Sequence, residues 1–282
     1  MADTQSAIYA QAYSQNIMQL AQQKYSKLIN TIYIKPNVRG KTFFQDQIGE
    51  WSMETKGARN AATPNNDPNL ARRMGTMIDY HDNRMLDRGD ELKSISDPRS
   101  AYTIAAAQSL GRKIDDVIIA AGYSDSASGE TGSTTVTNGN VKLVTANVLT
   151  MAEVVAIKQT MDEDDVPDED RFFVTDPTSL GSLLNVEQAT SADYNSVRAL
   201  VRGDIDTWLG FKWIKSTRIS AVTSLSGLAY QKYGICLAMA SAPMVRTDER
   251  TDRSYSWQVY YELNVGATRL EEDKCMTIYA AS

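Results

Sequence analysis

The sequence predicts an α+β fold, and three observations carry that prediction. Ile104, Ala107, Leu110, Ile114, Val117, Ile118 and Ala121 recur at intervals of three and four, the mark of one long helix. Short β-prone apolar runs at 171–175, 211–215, 235–240, 255–265 and 275–279 read as strands. The 282 residues are 42% hydrophobic and 23% charged, enough apolar material for a real core and no composition for a disordered or fibrous chain.

The elements follow in chain order. Segment 7–32 places Tyr13, Ile17, Leu20, Ala21, Tyr25, Leu28, Ile29 and Ile32 on one helical stripe, which Pro36 and Gly40 end. Such a helix either packs on its own domain or lies as a terminal arm on a neighbouring subunit. Segments 41–48 and 72–80 read as two strands. From Asp46 to Asn69 the only large apolar residues are Ile48, Trp51 and Met53, among Gly, Pro, Asn and Asp. So long a loop inside a compact domain is usually functional or disordered. Read together, the segments form a two-stranded projection, and an isolated hairpin is marginal in water unless it lies on something.

Asp97-Pro98 supplies an N-cap and a first helical residue for the long stripe. It runs more than about 30 Å at 1.5 Å per residue, to Gly122, which is expected to end it as the C′ residue. Segment 123–140 is rich in Gly, Ser and Thr and reads as an exposed loop or loose hairpin. A second helix is expected over 145–161. Asp176-Pro177 caps a third through Leu184.

Several function classes drop out. The net charge of −6 opposes a free-standing nucleic-acid binder, whose affinity comes from Lys and Arg. Two cysteines, Cys236 and Cys275, and a single histidine, His81, exclude a disulfide framework and a Cys/His zinc site. No apolar stretch approaches the length of a transmembrane helix. The opening Met1-Ala-Asp-Thr-Gln-Ser carries no targeting pattern, so a soluble, reducing compartment is expected.

Motifs for chemistry fare no better. Arg39-Gly40-Lys41-Thr42 resembles the end of a phosphate loop, but Lys35 stands where the first glycine belongs, and a strand follows instead of a helix. The run 162–170 holds seven carboxylates in nine residues, with Pro167 where a calcium loop needs glycine. It reads as a solvated turn, or as a contact with basic residues of another chain. His81, between Tyr80 and Asp82, reads as a surface residue before a general base. No cofactor, metal or catalytic residue is assigned, and an enzyme is not expected. The 14 Tyr, 4 Trp and 11 Met point to apolar surface buried between subunits.

The ordered set of segments resembles the major capsid proteins of tailed bacteriophages. The set comprises Tyr25-Ser-Lys-Leu28, Arg72-Arg73-Met74, Asp97-Pro98 and Leu110-Gly-Arg-Lys-Ile-Asp115. It continues through Val166-Pro-Asp-Glu-Asp-Arg-Phe-Phe-Val174 and Gly203-Asp-Ile-Asp-Thr-Trp-Leu-Gly-Phe211, then Trp213-Ile214. Asp206 departs from it, standing where relatives often have a small residue.

The resemblance implies an N-terminal arm over 1–35, an extended loop over 36–80, a peripheral domain over 81–145 and 241–282, and an axial domain over 146–240. It implies self-assembly into hexamers and pentamers of an icosahedral shell around double-stranded DNA, in the virion capsid, assembled in the host cytoplasm. A separate scaffolding protein and a portal are the implied partners, DNA would be enclosed without sequence-specific binding, and no membrane is involved. A cargo-enclosing nanocompartment of the same fold, or an α/β enzyme, are the alternative readings. The candidate subunit-interface residues are Ile17, Leu20, Asp46, Glu50, Trp51, Glu54, Arg72 and Arg73. Some of the charges Asp46, Glu50, Glu54, Arg72 and Arg73 are expected to meet partners on another chain, and reversing both arginines is expected to leave the isolated subunit's melting nearly unchanged.

Overall fold

The computed structural model describes residues 22–63, 65–87, 99–144, 149–185, 207–221 and 225–280. In chain order the strands are β1 (Tyr33–Lys35), β2 (Thr42–Ile48), β3 (Leu70–Thr76), β4 (Ile78–Leu86), β5 (Ser126–Ser128), β6 (Thr134–Val136), β7 (Val141–Val144) and β8 (Arg171–Thr175). They continue with β9 (Thr207–Trp208), β10 (Phe211–Lys215), β11 (Leu225–Gln231), β12 (Ile235–Met239), β13 (Met244–Arg250), β14 (Ser256–Arg269) and β15 (Cys275–Ala280). The α-helices are α1 (Arg99–Tyr123), α2 (Met151–Glu163) and α3 (Pro177–Asn185). The α+β class is as the sequence predicts. Two compact units divide the chain: Met1–Tyr25, Tyr80–Gly111 and Pro243–Leu263 form one; Ser26–Asp79, Arg112–Ala242 and Asn264–Ser282 form the larger.

The larger unit contains a six-stranded sheet in the order β7-β15-β11-β8-β10-β9. Strand β8 lies inside it, parallel to β10 and antiparallel to β11. Every residue of β8 is buried, which is why its apolar run is unbroken rather than alternating. Val154, Ile157 and Met161 of α2, with Leu180 and Leu183 of α3, pack onto Phe173, Phe211, Trp213 and Ile278. Phe173 stacks on Trp213 with ring centroids 4.2 Å apart and meets Phe211 edge-on at 5.8 Å.

Helix α2 starts later than its periodicity predicts. The Thr150 N–H donates to the Glu153 carboxylate at 2.7 Å, half of a Thr-x-x-Glu capping box, and fixes the first turn at Met151. Helix α3 begins at the predicted cap, Asp176, whose carboxylate accepts from the N–H groups of Thr178 and Ser179 at 3.2 and 3.1 Å. Trp208 and Phe211 close a two-residue hairpin through Leu209 and Gly210, at φ 52° and 82°. A leucine with positive φ is strained; here its side chain packs on the core. Asp206, Asp97 and Pro98 lie outside the described residues.

The acidic run folds around a cation of its own chain. Arg171 is buried; its Nε donates to the Pro167 carbonyl, its Nη2 to the Val166 carbonyl, and its Nη1 to Asp162 at 2.5 Å. Asp162 also accepts from Lys158 at 2.7 Å, and the two donors, Lys158 first, hold its carboxyl below the usual carboxylate range. Asp170 pairs with Lys212.

Residues 22–32 correct the expected N-terminal helix. Only a single 3-10 turn, Ile29–Thr31, forms there. The carboxylate of Asp115, fully buried on α1, accepts from Ser26 Oγ at 2.5 Å and from the N–H groups of Lys27 and Leu28 at 3.1 and 3.2 Å. A buried carboxylate requires donors, and this one takes main-chain donors from the incoming segment. Leu28 and Ile32 are buried while Tyr25 is exposed. Ile17 and Leu20 lie outside the described residues.

Gly122 corrects a second expectation. It lies inside the last turn of α1, and a Cβ there would overlap the Leu228 side chain of β11, so glycine serves a close approach rather than a C′ turn. Segment 123–140, expected as loop or loose hairpin, forms β5 and β6, which extend β2 and β3 into a sheet of order β2-β3-β5-β6. Beside it, Phe43, Met77, Cys236, Ala238 and Leu270 form a second cluster.

In the smaller unit β13 pairs with β14 from Met244↔Glu262 to Arg250↔Ser256. On β4, Asp82 accepts from the Tyr261 hydroxyl at 2.8 Å, and the His81 ring lies 6.5 Å from that of Tyr260.

Strand β14 admits no side chain at Gly266, because a Cβ there would run into the Thr76 carbonyl and the backbone of Met77. Gly266→Ala should cost about 1–3 kcal/mol in urea unfolding, since backbone must move to make room. Gly57→Ala, with nothing near the added methyl, should shift the midpoint little.

Candidate assembly surface

Strands β2 and β3 pair residue by residue from Thr42↔Thr76 to Ile48↔Leu70. Alternation along the two strands separates two faces with opposite roles. Phe43, Gln45 and Gln47 share one with Ala71, Arg73 and Gly75; Phe44, Asp46 and Ile48 share the other with Leu70, Arg72 and Met74.

The first face is fastened to the subunit. Phe43 is buried, and its ring covers Gly75 so closely that no Cβ fits beneath it. The Leu270 carbonyl accepts from Gln47 Nε2 at 3.0 Å and from Arg73 Nε at 2.9 Å, one donor from each strand. Arg73 Nη2 then donates to Glu272 at 2.6 Å. Glu272 also lies 3.6 Å from the Nε of Arg269, a guanidinium wholly shielded from solvent. The remaining Arg269 donors reach carbonyls: Nη1 those of Gly122 and Ser124, at 3.3 and 2.9 Å, and Nη2 that of Val136 at 3.4 Å. Gly122 and Ser124 stand at the C-terminal end of α1, where unsatisfied carbonyls and the helix dipole both favour a cation.

The second face is half-covered at Phe44 and Met74 and open toward the tip. Arg72 donates to Asp46 across the hairpin at 2.5 and 3.3 Å, and its guanidinium carbon lies 5.6 Å from the Phe44 ring centre. The hydrogen bond from Arg72 holds the Asp46 carboxyl below the usual carboxylate range. The Gly49 N–H donates to the Asn69 carbonyl at 2.7 Å and closes the ladder. Beyond it Asn66 donates to Glu54 at 3.1 Å. Ile48 and Leu70, a cross-strand pair, are 74% and 73% exposed; Trp51 and Met53 follow at 70% and 98%. Four large apolar side chains on one projection are more than scattered surface residues, and such patches mark contact with another molecule.

The structure sorts the candidates read from the sequence. Asp46 and Arg72 meet each other on the exposed face, and Glu54 meets Asn66. Glu50 and Trp51 are exposed at the start of the tip. Arg73 points inward, and its charge is used within its own subunit, so the two neighbouring arginines differ in kind. Reversing both can no longer be expected to spare the isolated subunit. The sequence reading missed Arg269, Glu272 and Asp115. An opposite-charge pair three residues apart just past an apolar strand was the one available signal for the first two.

Among the described residues no group of three His, Cys, Asp or Glu is placed to hold a metal ion, and no helix is long and apolar enough to cross a membrane. Both cysteines are buried as free thiols, and burial pushes Cys236 up to about 11 and Cys275 up to about 12.

Two comparisons place this architecture. The family model described as phage capsid protein matches residues 6–281, and the chain belongs to that family. It is a structural major capsid protein. The solved capsid structure of the cyanophage P-SCSP1u is similar over 98% of this chain and 94% of its own, with a TM-score of 0.78 at 15% identity. The capsid of a native GTA particle is similar over 100% and 98%, with a TM-score of 0.69 at 14% identity. The capsid of cyanophage Pam1 covers 100% of both chains with a TM-score of 0.68 at 13% identity. At such identities the likeness is one of fold. No curated protein sequence matches the chain.

The two arginines should part company on reversal. Arg72→Glu should leave the thermal midpoint of the isolated subunit nearly unchanged, because its partner is solvated. Arg73→Glu sets two carboxylates against each other where water has little access, and should cost about 3 kcal/mol in denaturant unfolding. Equal midpoints would show that Arg73 is not held as described.

Proposed function

We propose that the chain builds a closed icosahedral shell of hexamers and pentamers around the double-stranded DNA of a tailed phage, in which the tip of the β2/β3 hairpin lies on a neighbouring subunit. One observation carries this reading: Ile48, Trp51, Met53 and Leu70 are held in solvent by a hairpin whose other face is fastened down. Exposing them costs the lone subunit apolar burial of the order of 1.5–3 kcal/mol per side chain, which a neighbour recovers. Repeated at every subunit boundary, a modest contact becomes collectively strong.

The division into arm (1–35), extended loop (36–80), peripheral domain (81–145 and 241–282) and axial domain (146–240) belongs to this proposal. So do a separate scaffolding protein, a portal, assembly in the host cytoplasm and DNA enclosed without sequence-specific contacts. The acidic balance, −6 overall, is consistent with a wall that encloses DNA without binding it tightly. The role is structural rather than enzymatic.

The hydrogen bond between Gly49 and Asn69 marks where the tip can be removed. Replacing 50–68 by Asn-Gly, which favours a two-residue hairpin, should leave circular dichroism and thermal melting of the subunit close to the parent's. Electron microscopy of the same protein should show no closed particles. Parental particle yield would place the interface elsewhere.

A further inference from the structure

We propose that Glu272 is a positioning residue: by pairing with Arg73 and Arg269 together it fixes the angle at which the β2/β3 hairpin leaves the subunit. This deepens the reading of the hairpin as an assembly surface and rests on it for the consequence in the shell, but the mount itself is a property of one chain.

A two-stranded projection keeps a set angle only through anchors outside its own ladder. Main-chain pairing within β2/β3 fixes the two strands to each other. At its base β5 joins through Arg73↔Ser128 and Met74↔Ala127, the Gly129 N–H and the Ser128 hydroxyl donate to the Arg72 carbonyl, and Lys35 donates to that of Phe44. Toward the tip the anchors that follow are polar. Gln47 and Arg73, one from each strand, both donate to the carbonyl of Leu270, so a rotation of the hairpin breaks both bonds at once. The direction of that carbonyl depends on the turn that follows β14. Glu272 sits in this turn, 2.6 Å from Arg73 and 3.6 Å from Arg269.

Arg269 is the immobile member. Its guanidinium is wholly buried and aimed at the Gly122, Ser124 and Val136 carbonyls, so it cannot follow a moving partner. Glu272 therefore transmits a fixed reference point to Arg73. Two guanidinium groups converging on one carboxylate in a water-poor setting also need that negative charge, since without it they repel each other. The neutral isostere should then release the hairpin while the apolar core stays intact.

Hydrogen exchange read by mass spectrometry on the full-length isolated subunit tests this. In Glu272→Gln the amides of Thr42–Ile48 and Leu70–Thr76 should exchange at least tenfold faster than in the parent. Those of Arg171–Thr175 and Leu225–Gln231, inside the six-stranded sheet, should be unchanged. Glu272→Asp, which keeps the charge, should return the hairpin toward parental protection. A purely stabilising role would accelerate all four segments together, and that result overturns the proposal, as does unchanged protection of the hairpin.

Exchanging the charges, Arg73→Glu with Glu272→Arg, should not restore protection, because Arg269 would then face a second arginine. Full restoration would show that only Arg73 matters and overturn the three-member assignment. A third variant, Arg73→Lys, retains the charge without the fork that spans carbonyl and carboxylate, and should loosen the hairpin without lowering core protection. Uniform loss in this mild variant also overturns the proposal. Particle counts by electron microscopy separate the two readings. A loosened hairpin with fewer closed particles supports both, whereas a loosened hairpin with parental yield retains the mount and counts against the hairpin as the assembly surface.

Discussion

The burial of Arg269 is the constraint on which the larger unit turns. A guanidinium wholly removed from water costs several kcal/mol unless its donors are met and its charge is balanced. Here the end of α1 and the strand β6 supply carbonyl acceptors to Nη1 and Nη2, while Glu272, in the turn after β14, balances the charge from 3.6 Å without a hydrogen bond to Nε. Segments far apart in sequence must reach this one position together. The short hairpin of β5 and β6 has little apolar content of its own, and the buried arginine gives it a place to be. Arg171 repeats the arrangement on a smaller scale, gathering the acidic turn between α2 and β8. Asp115 is its anionic counterpart, drawing in the chain at Ser26–Leu28.

The projecting hairpin is the converse case. Its fastened face uses one aromatic ring, one carbonyl and one carboxylate, and its open face places apolar side chains in water. A lone polypeptide gains nothing from such an arrangement. A subunit that meets many copies of itself does, because the exposed area is the reserve from which association draws its free energy. Membership of the phage capsid family and this division of faces point the same way.

What the sequence made legible follows from where burial is dense. Strand β8 and the cap at Asp176-Pro177 emerged at their observed positions, because an unbroken apolar run and an Asp-Pro pair have few alternative readings. The long stripe of α1 was equally plain, yet Gly122 was misread, since close approach to Leu228 is a tertiary fact invisible to local pattern. Residues 22–32 kept helical spacing and still did not form an α-helix, because Asp115 withdraws the N–H groups of Lys27 and Leu28. Polar residues on the buried face of the hairpin escaped for a related reason. Gln47 and Arg73 look like surface residues until their shared acceptor, Leu270, is known, some two hundred positions further on.

The cations that organise this subunit speak mostly to main-chain oxygen. Arg269 addresses the carbonyls of Gly122, Ser124 and Val136, Arg171 those of Val166 and Pro167, and Arg73 that of Leu270. A carbonyl is present whatever side chain its residue bears. Ser124 or Val136 can therefore change identity without withdrawing the acceptor, so long as the backbone keeps its path. A substitution at such a position leaves the acceptor in place, whereas a substitution of the arginine removes the donors. A lineage built in this way can rewrite most of its letters and still close the same joints, which is a physical route to one architecture persisting among sequences that scarcely resemble each other.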